Sequence, residues 1–147
     1  MAIYTAGFAA WTAEQFFDAL NKHRVTNLVD VRLNNTSQLS GFAKKLDLVY
    51  FLQKLCGAEY FHEPLLAPTP DLLKTYRKGL ITWAEYEKLF CSLLQERRVE
   101  HTVSKGLFSG SPLLLCSEHS PEKCHRRLVV DYLNLSWGYN AEVVHIV

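Results

Sequence analysis

The segment from Cys116 to Arg127, CSEHSPEKCHRR, brings thiol, imidazole, carboxylate and guanidinium groups together directly after an apolar run. Cysteine and histidine side chains ligate metals, an activated cysteine is a nucleophile, and arginine binds phosphates and carboxylates through paired hydrogen bonds. A serine followed by a proline is also a common helix start. The segment therefore fits a metal site, a thiol active site, an anion pocket or an ordinary structural role.

The first two interpretations each conflict with the spacing. A zinc site would use Cys116, Cys124 and His125, but the gap between the cysteines does not match a zinc knuckle, and adjacent cysteine and histidine ligands are awkward. We therefore predict no metal and no cofactor. A nucleophilic Cys116 would lie in a strand–loop–helix turn, as in cysteine phosphatases and rhodaneses. The arginine that phosphatases use is replaced here by Glu122, which would repel a phosphate.

An anion pocket requires fewer coincidences. Ser120 is a good N-cap and Pro121 suits the first helical position, so a helix N-terminus would face the ligand together with nearby arginines. With about 100° between successive helical residues, His125 turns inward, whereas Arg126 and Arg127 point more outward.

The structural interpretation assigns no chemistry to the same residues. Cys116 and Cys124 would be small core residues, and Glu118 would form an ion pair with Arg32. His125 would be a buried histidine with its hydrogen bonds satisfied.

Strands and helices alternate along the rest of the chain. The apolar and β-branched runs predict strands, and the amphipathic stretches, two of which open on a capping box, predict helices. We predict an α/β fold with three layers, in which a mostly parallel twisted sheet of about five strands has helices on both faces, and a single domain over 1–147. The predicted strands are 2–6, 25–33, 58–64, 112–116 and 141–147, the predicted helices are 12–24, 42–57, 70–79, 82–98 and 120–135, and 99–111 is predicted to be a loop.

Ligands of open α/β sheets bind beyond the carboxyl ends of the strands. If the strands are parallel, the polar residues that follow them meet at one edge. The candidate ligand-binding residues are Thr5, Gly7, Asp30, Arg32, Asn34, Ser37, Arg126 and Arg127, and the candidate catalytic residues are Cys116, Glu118 and His125.

Composition excludes several classes of protein. The chain has 147 residues, of which 48% are hydrophobic and 21% charged, and its net charge is +1, so any site for an anion must be local. No stretch is long enough to span a membrane, and the N-terminus lacks a basic leader. The four cysteines contain no CxxC pair, so we expect reduced thiols in the cytoplasm.

Several motifs resemble family 488 of the domains of unknown function, DUF488. In order they are IYTAGF, LVDVRLN, SGFAKK, EYFHEPLLAPT, LLLCSEHSPEKCHRRLVVDYL and VVHIV, which together span nearly the whole chain. The most specific is the Cys-x-Glu…Cys-His-Arg block; residues 5–9 have a Gly-Phe form where many members have Thr-Ile-Gly-His-Ser. The resemblance implies a small α/β domain of bacterial or archaeal type and supplies no reaction.

These observations predict a cytoplasmic protein that binds a small anionic ligand, such as a nucleotide or a phosphorylated metabolite. Arg32 and Arg126 would hold the anion, and Glu118 and His125 would supply acid–base chemistry if a reaction occurs. One alternative is a nucleic-acid-associated module; another is a redox or zinc-binding protein that uses Cys116, Cys124 and His125. Whether the protein is an enzyme or a homo-oligomer is left open, and no membrane partner is expected. The nucleic-acid alternative would rest on Arg32, Lys44, Lys45, Lys123, Arg126 and Arg127.

Overall fold

The computed structural model describes residues 1–9, 11–35, 41–118 and 120–147. Within these ranges, the strands β1 to β5 are Ala2–Gly7, Asn27–Asp30, Glu59–His62, Pro112–Cys116 and Glu142–Ile146. The α-helices α1 to α6 are Ala13–Lys22, Lys45–Phe51, Pro70–Arg77, Trp83–Glu96, Val99–Thr102 and His125–Trp137. Short 3₁₀ or π segments cover Gly41–Ala43, Leu52–Cys56, Pro64–Leu66 and Lys105–Phe108. In the described ranges, no helix combines the length and apolar character that crossing a bilayer demands.

The five strands form one parallel sheet in the order β3-β2-β4-β1-β5. Successive residues of the central strand β4 alternate between two cores, because side chains of a strand point to opposite faces. Leu113 and Leu115 pack with α1 and α2, whereas Leu114 and Cys116 pack with α4 and α6. The predicted α/β class, with a parallel sheet between two helical layers, is confirmed.

The topology creates a crevice between two neighbouring strands. The chain leaves β2 toward α2 on one face, and leaves the adjacent β4 toward α6 on the other face. Connections that diverge in this way open a gap beyond the carboxyl ends of the strands, which is where ligands of open α/β sheets bind.

Two helix starts follow the predicted capping pattern. The Thr12 hydroxyl accepts the Gln15 N–H, and the Gln15 side chain accepts the Thr12 N–H, both at 3.1 Å. Thr82 and Glu85 form the same reciprocal pair at 3.2 and 3.3 Å. Both are capping boxes, so α1 and α4 begin where their sequences predict.

Several predicted boundaries are wrong. The strand predicted over 25–33 leaves the sheet early, because the Arg32 N–H turns back to Asp30 Oδ1 at 3.1 Å instead of continuing the ladder. The helix predicted over 42–57 is divided into 3₁₀, α and π segments, and the loop predicted over 99–111 contains α5.

The predicted start of the last helix at Ser120 and Pro121 is also wrong. Cys124 has an extended backbone, with φ −134° and ψ 137°, so α6 begins only at His125. Pro121 instead begins a separate turn, in which its carbonyl accepts the Cys124 N–H at 3.3 Å. The β4–α6 connection is therefore long enough to pass across the end of β1.

Gly7 permits that crossing. A Cβ added at Gly7 would overlap the Glu118 carbonyl and would lie 2.9 Å from Arg126 Nη1. The connection also pairs with the end of β1, since the Phe8 N–H donates to Cys116 O at 3.2 Å and the Ala9 N–H to Ser117 O at 3.1 Å. The absence of a side chain at Gly7 thus positions the residues that follow β4.

We predict that Gly7→Ala destabilises the protein by about 1–3 kcal/mol or more, because the added methyl group must displace backbone atoms. Gly41→Ala is the matched control, since a Cβ there meets nothing within 4 Å. Urea unfolding of both variants measures the difference. Equal stability of the two variants would contradict the close approach of Gly7 and Glu118.

Candidate functional site

A cavity of about 640 Å³ opens in the crevice beyond β2 and β4. Residues after these strands form one side, including Asn34 and Glu118, and α3 with the start of α4 forms the other. Among the described lining residues, Glu118 is the one carboxylate. Five cationic side chains line the same space: Arg32, Lys74, Arg77, Lys78 and Lys123.

A buried ion pair holds Arg32 at the cavity. Arg32 is 2% exposed and Asp30 0% exposed, and the guanidinium donates through Nε to Oδ1 at 2.8 Å and through Nη2 to Oδ2 at 2.7 Å. The two parallel bonds fix the plane of the guanidinium. The Arg32 carbonyl also accepts a 3.0 Å bond from His62 Nε2, so backbone and side chain are both anchored.

Asp30 also accepts a hydrogen bond from Tyr60. The Tyr60 hydroxyl donates to Asp30 Oδ2 at 2.5 Å and accepts from Asn35 Nδ2 at 2.8 Å. Burial and this bond to a carboxylate raise the pKa of Tyr60, so the phenol stays protonated as a donor. The Asp30 carboxylate thus accepts its hydrogen bonds from other residues of the protein, and its role is to orient Arg32.

One nitrogen of Arg32 remains available. Among the described residues, Arg32 Nη1 is buried and has no hydrogen-bond partner. The guanidinium also lies over the Phe8 ring, 5.3 Å from its centroid. A buried, charged N–H group without an acceptor is costly, and an anion in the adjacent cavity would supply one.

Aromatic rings and the cationic residues of α3 form the opposite wall. Trp83 stacks on Tyr86 at a centroid distance of 5.1 Å, and Tyr76 lies 4.9 Å from Tyr86. Sequence reasoning missed this wall. Lys74 and Lys78 lie one helical turn apart, which indicates a cationic face, but no local pattern reveals which sheet edge that face covers.

Arg97, at the C-terminal end of α4, holds the segment that precedes α3. Arg97 Nη1 donates to the Leu65 carbonyl at 2.8 Å and to the Ala67 carbonyl at 2.6 Å. Thr69 then caps α3 by accepting the Leu72 N–H at 3.2 Å. These contacts set the direction in which α3 crosses the carboxyl edge.

Cys116, Cys124 and His125 meet on the floor of the cavity. All three are buried, and their nearest ligand atoms lie within 4.8 Å of one another. The nearby Cys124 thiol lowers the pKa of Cys116 most, and the Ser117 and Glu118 N–H groups and Arg126 lower it further, against the effect of burial. The pKa of Cys124 is raised, first by Cys116 and then by burial.

His125 is oriented by the backbone. His125 Nε2 lies 2.7 Å from the Val31 carbonyl, which only accepts, so Nε2 carries the proton and Nδ1 is an acceptor. Burial is the main cause that lowers the pKa of His125, so the ring is neutral.

The ring orientation does not suit a shared zinc ion. Cys116 Sγ is 3.7 Å from Nδ1 and 3.9 Å from Nε2, so the sulfur does not lie along the lone pair of either nitrogen. A tetrahedral zinc on Nδ1 and Sγ, with bonds of about 2.0 and 2.3 Å, would place that sulfur about 5 Å from Nε2. As placed, Cys116 and His125 therefore do not form half of a zinc site.

Arg126 forms hydrogen bonds in the interior of the protein. It is 0% exposed, which shows that the predicted outward direction is wrong. Its Nε donates to Thr5 Oγ1 at 3.2 Å, and its Nη1 donates to the Glu118 carbonyl and, at 3.5 Å, to Cys124 Sγ. Thr5 Oγ1 also contacts His145 Nδ1 at 2.6 Å. Arg126 is thus absent from the residues that line the cavity and instead holds the connection that carries the thiols.

The remaining candidates are spread around this centre. Asn34 and Glu118 are exposed and line the cavity, whereas Gly7 lies beneath the β4–α6 connection. Arg127 lies away from the cavity, 3.6 Å from Asp131. Ser37 lies outside the described residues.

We predict that Asp30→Asn costs about 3–5 kcal/mol of stability, because it leaves the buried Arg32 charge unpaired. Asp131→Asn removes an exposed partner of Arg127 and should cost less than about 1 kcal/mol. Chemical denaturation of both variants tests this. A small loss for Asp30→Asn would show that Arg32 does not depend on the carboxylate.

Acid should also destabilise the protein through its buried histidines. Unfolded histidines titrate near pH 6.5, and burial lowers the pKa of His125 and His145, so the unfolded state binds more protons and stability falls as the pH drops from about 7 to about 5. His125→Gln should flatten this dependence, whereas His101→Gln, at an exposed position, should not. Urea titrations at a series of pH values give the slopes. Parallel slopes for His125→Gln and the parent would contradict a buried, neutral His125.

Comparison with known proteins gives one match. No curated protein and no solved structure matches the chain, whereas the family model described as "Domain of unknown function DUF488" matches residues 12–133. That range covers most of the chain and includes β2, the α3 wall and the Cys116–Arg126 block. The chain therefore belongs to the DUF488 family.

Proposed function

We propose that the protein binds a small anionic ligand, a nucleotide or another phosphorylated metabolite, in the cavity beyond β2 and β4. The observation that supports this most is the Arg32 guanidinium, which Asp30 fixes by two bonds while Nη1 has no partner among the described residues. A phosphate oxygen is a suitable acceptor for such a preorganised donor.

Local charge supports an anionic ligand. The chain as a whole is nearly neutral, with a net charge of +1, yet cationic side chains outnumber acidic ones by five to one among the described lining residues. Lys74, Lys78 and Lys123 are exposed, so they can attract an anion from solvent, while Arg32 binds it inside. A concave site concentrates such a field.

The aromatic wall supports a ligand with a planar group. Trp83 and Tyr76 are only partly buried and contact the cavity, so their surfaces are available for stacking. The volume of about 640 Å³ falls within the range of small-molecule sites. A nucleotide combines the phosphate and the planar ring that the two walls favour.

Acid–base chemistry is compatible with the same site. The neutral His125 has an acceptor at Nδ1, and the Glu118 carboxyl is exposed at the rim of the cavity. Both line the cavity, as residues that exchange protons with a bound ligand must. A role in nucleic-acid binding stays a prediction from the sequence.

Titration calorimetry with AMP, ADP, inorganic phosphate and uncharged adenosine tests the proposal. We expect ADP to bind more tightly than adenosine, and Arg32→Lys, which keeps the charge but loses the paired geometry, to weaken ADP binding by about 10- to 100-fold. The double variant Lys74→Gln/Lys78→Gln should weaken it as well, and Lys88→Gln on the exposed surface of α4 is the matched control.

Two results would overturn the proposal. One is the absence of heat with every phosphate-containing probe; the other is equal weakening by Lys88→Gln and by the Lys74/Lys78 pair. A short oligonucleotide that binds more tightly than ADP, with a steep loss on adding salt, would instead favour nucleic acid.

A further inference from the structure

Two thiols lie where the cavity meets the β4–α6 connection. Cys116 ends β4 and Cys124 precedes α6, and their sulfur atoms lie within 4.8 Å of each other. Both residues line the cavity, where Cys116 is 5% and Cys124 2% exposed to solvent. A reagent that reaches one sulfur atom from the cavity is therefore close to the other.

The two thiols have different chemical environments. Cys116 ends β4, and its pKa is lowered first by the Cys124 thiol and then by the Ser117 N–H, Arg126 and the Glu118 N–H, against the effect of burial. Cys124 keeps its proton, because a thiolate at Cys116 disfavours a second negative charge beside it. Cys56 and Cys91, by contrast, have a pKa raised by burial. The site thus pairs a thiol whose pKa is lowered with a thiol whose pKa is raised.

Catalysis by a cysteine–histidine pair or by zinc is less well supported. Both need the Nδ1 lone pair of His125 to point at Cys116 or at a shared ion. Cys116 Sγ lies at nearly equal distances from Nδ1 and Nε2, 3.7 and 3.9 Å, so the lone pair does not point at the sulfur. The second cysteine then has a direct chemical use, as the group that attacks a covalent adduct on the first.

We propose that Cys116 and Cys124 form a redox-active dithiol that undergoes exchange with small anionic disulfides, Cys116 being the nucleophile and Cys124 the resolving thiol. The anionic preference rests on the function proposed above, since it depends on the same cationic cavity; the exchange itself does not.

The exchange balances in two steps. The Cys116 thiolate attacks one sulfur of the disulfide, whose S–S bond breaks, and the first thiolate leaves and takes the proton of Cys124. The Cys124 thiolate then attacks the Cys116 sulfur, which forms the Cys116–Cys124 bond and expels the second thiolate, protonated by solvent. The protein loses two electrons and the small disulfide gains them.

The test uses the Cys56→Ser/Cys91→Ser protein, in which only the two site thiols remain. The probes are dithiobis(nitrobenzoate), a dianionic aromatic disulfide, and neutral dithiodipyridine, each rate being normalised to that of a free small thiol. We expect two equivalents of released aromatic thiol, no retained adduct, and a protein mass lowered by two hydrogen atoms. The normalised rate should be about tenfold higher with the anionic probe.

Single variants then assign the roles. Cys124→Ser should release one equivalent and keep a stable mixed disulfide, because no second thiol remains to attack it. Cys116→Ser should remove the fast reaction. Circular dichroism confirms that each variant is folded.

Specific outcomes overturn the inference. These are a fast reaction that persists in Cys116→Ser, two retained adducts instead of an internal disulfide, or reaction that begins only after a chelator removes bound metal. An internal disulfide that forms equally fast with both probes, and is unaffected by Lys74→Gln/Lys78→Gln, supports the dithiol and contradicts the anionic-ligand proposal. The two proposals thus fail independently.

Discussion

The Asp30 carboxylate organises one wall of the site, because a buried charge must be neutralised where it stands. Asp30 ends β2 with no exposed surface, and it receives two bonds from the Arg32 side chain and one from the Arg32 N–H. The backbone bond diverts the chain from the sheet, and the side-chain bonds orient the guanidinium. Asp30 thus helps to end β2 and orients the Arg32 guanidinium beside the cavity.

A second constraint acts on the same side of the cavity and concerns the space at Gly7. The β4–α6 connection crosses β1 where no side chain exists, and Arg126 binds the Glu118 carbonyl from below. The two arginines that the sequence suggested as a clamp therefore have separate roles. Arg32 faces the cavity, whereas Arg126 holds the segment that carries Cys116 and Cys124.

The sequence predicts those features that depend on local pattern. Alternating apolar runs indicated the parallel sheet, its carboxyl edge and the meeting of Arg32 with Cys116, and the capping boxes at Thr12 and Thr82 indicated two helix starts. Features that depend on tertiary contacts were missed. Arg126 is buried because it binds Thr5, which is distant along the chain, and the Glu118 carbonyl, which lies in a loop. The position of the cationic wall depends on the path of α3.

Charge couples the two proposals made for the cavity. Arg32 and the cavity lysines face a ligand phosphate, whereas the buried Arg126 is the charged group that lowers the pKa of the neighbouring Cys116. Two anions in one small cavity repel each other, so each disfavours the other by the same coupling free energy. Oxidation to a disulfide would remove the thiolate charge, so the anionic ligand would no longer be repelled by it. The thiol state would then adjust anion affinity without any movement of the sheet, because the ligand and Cys116 share one cavity.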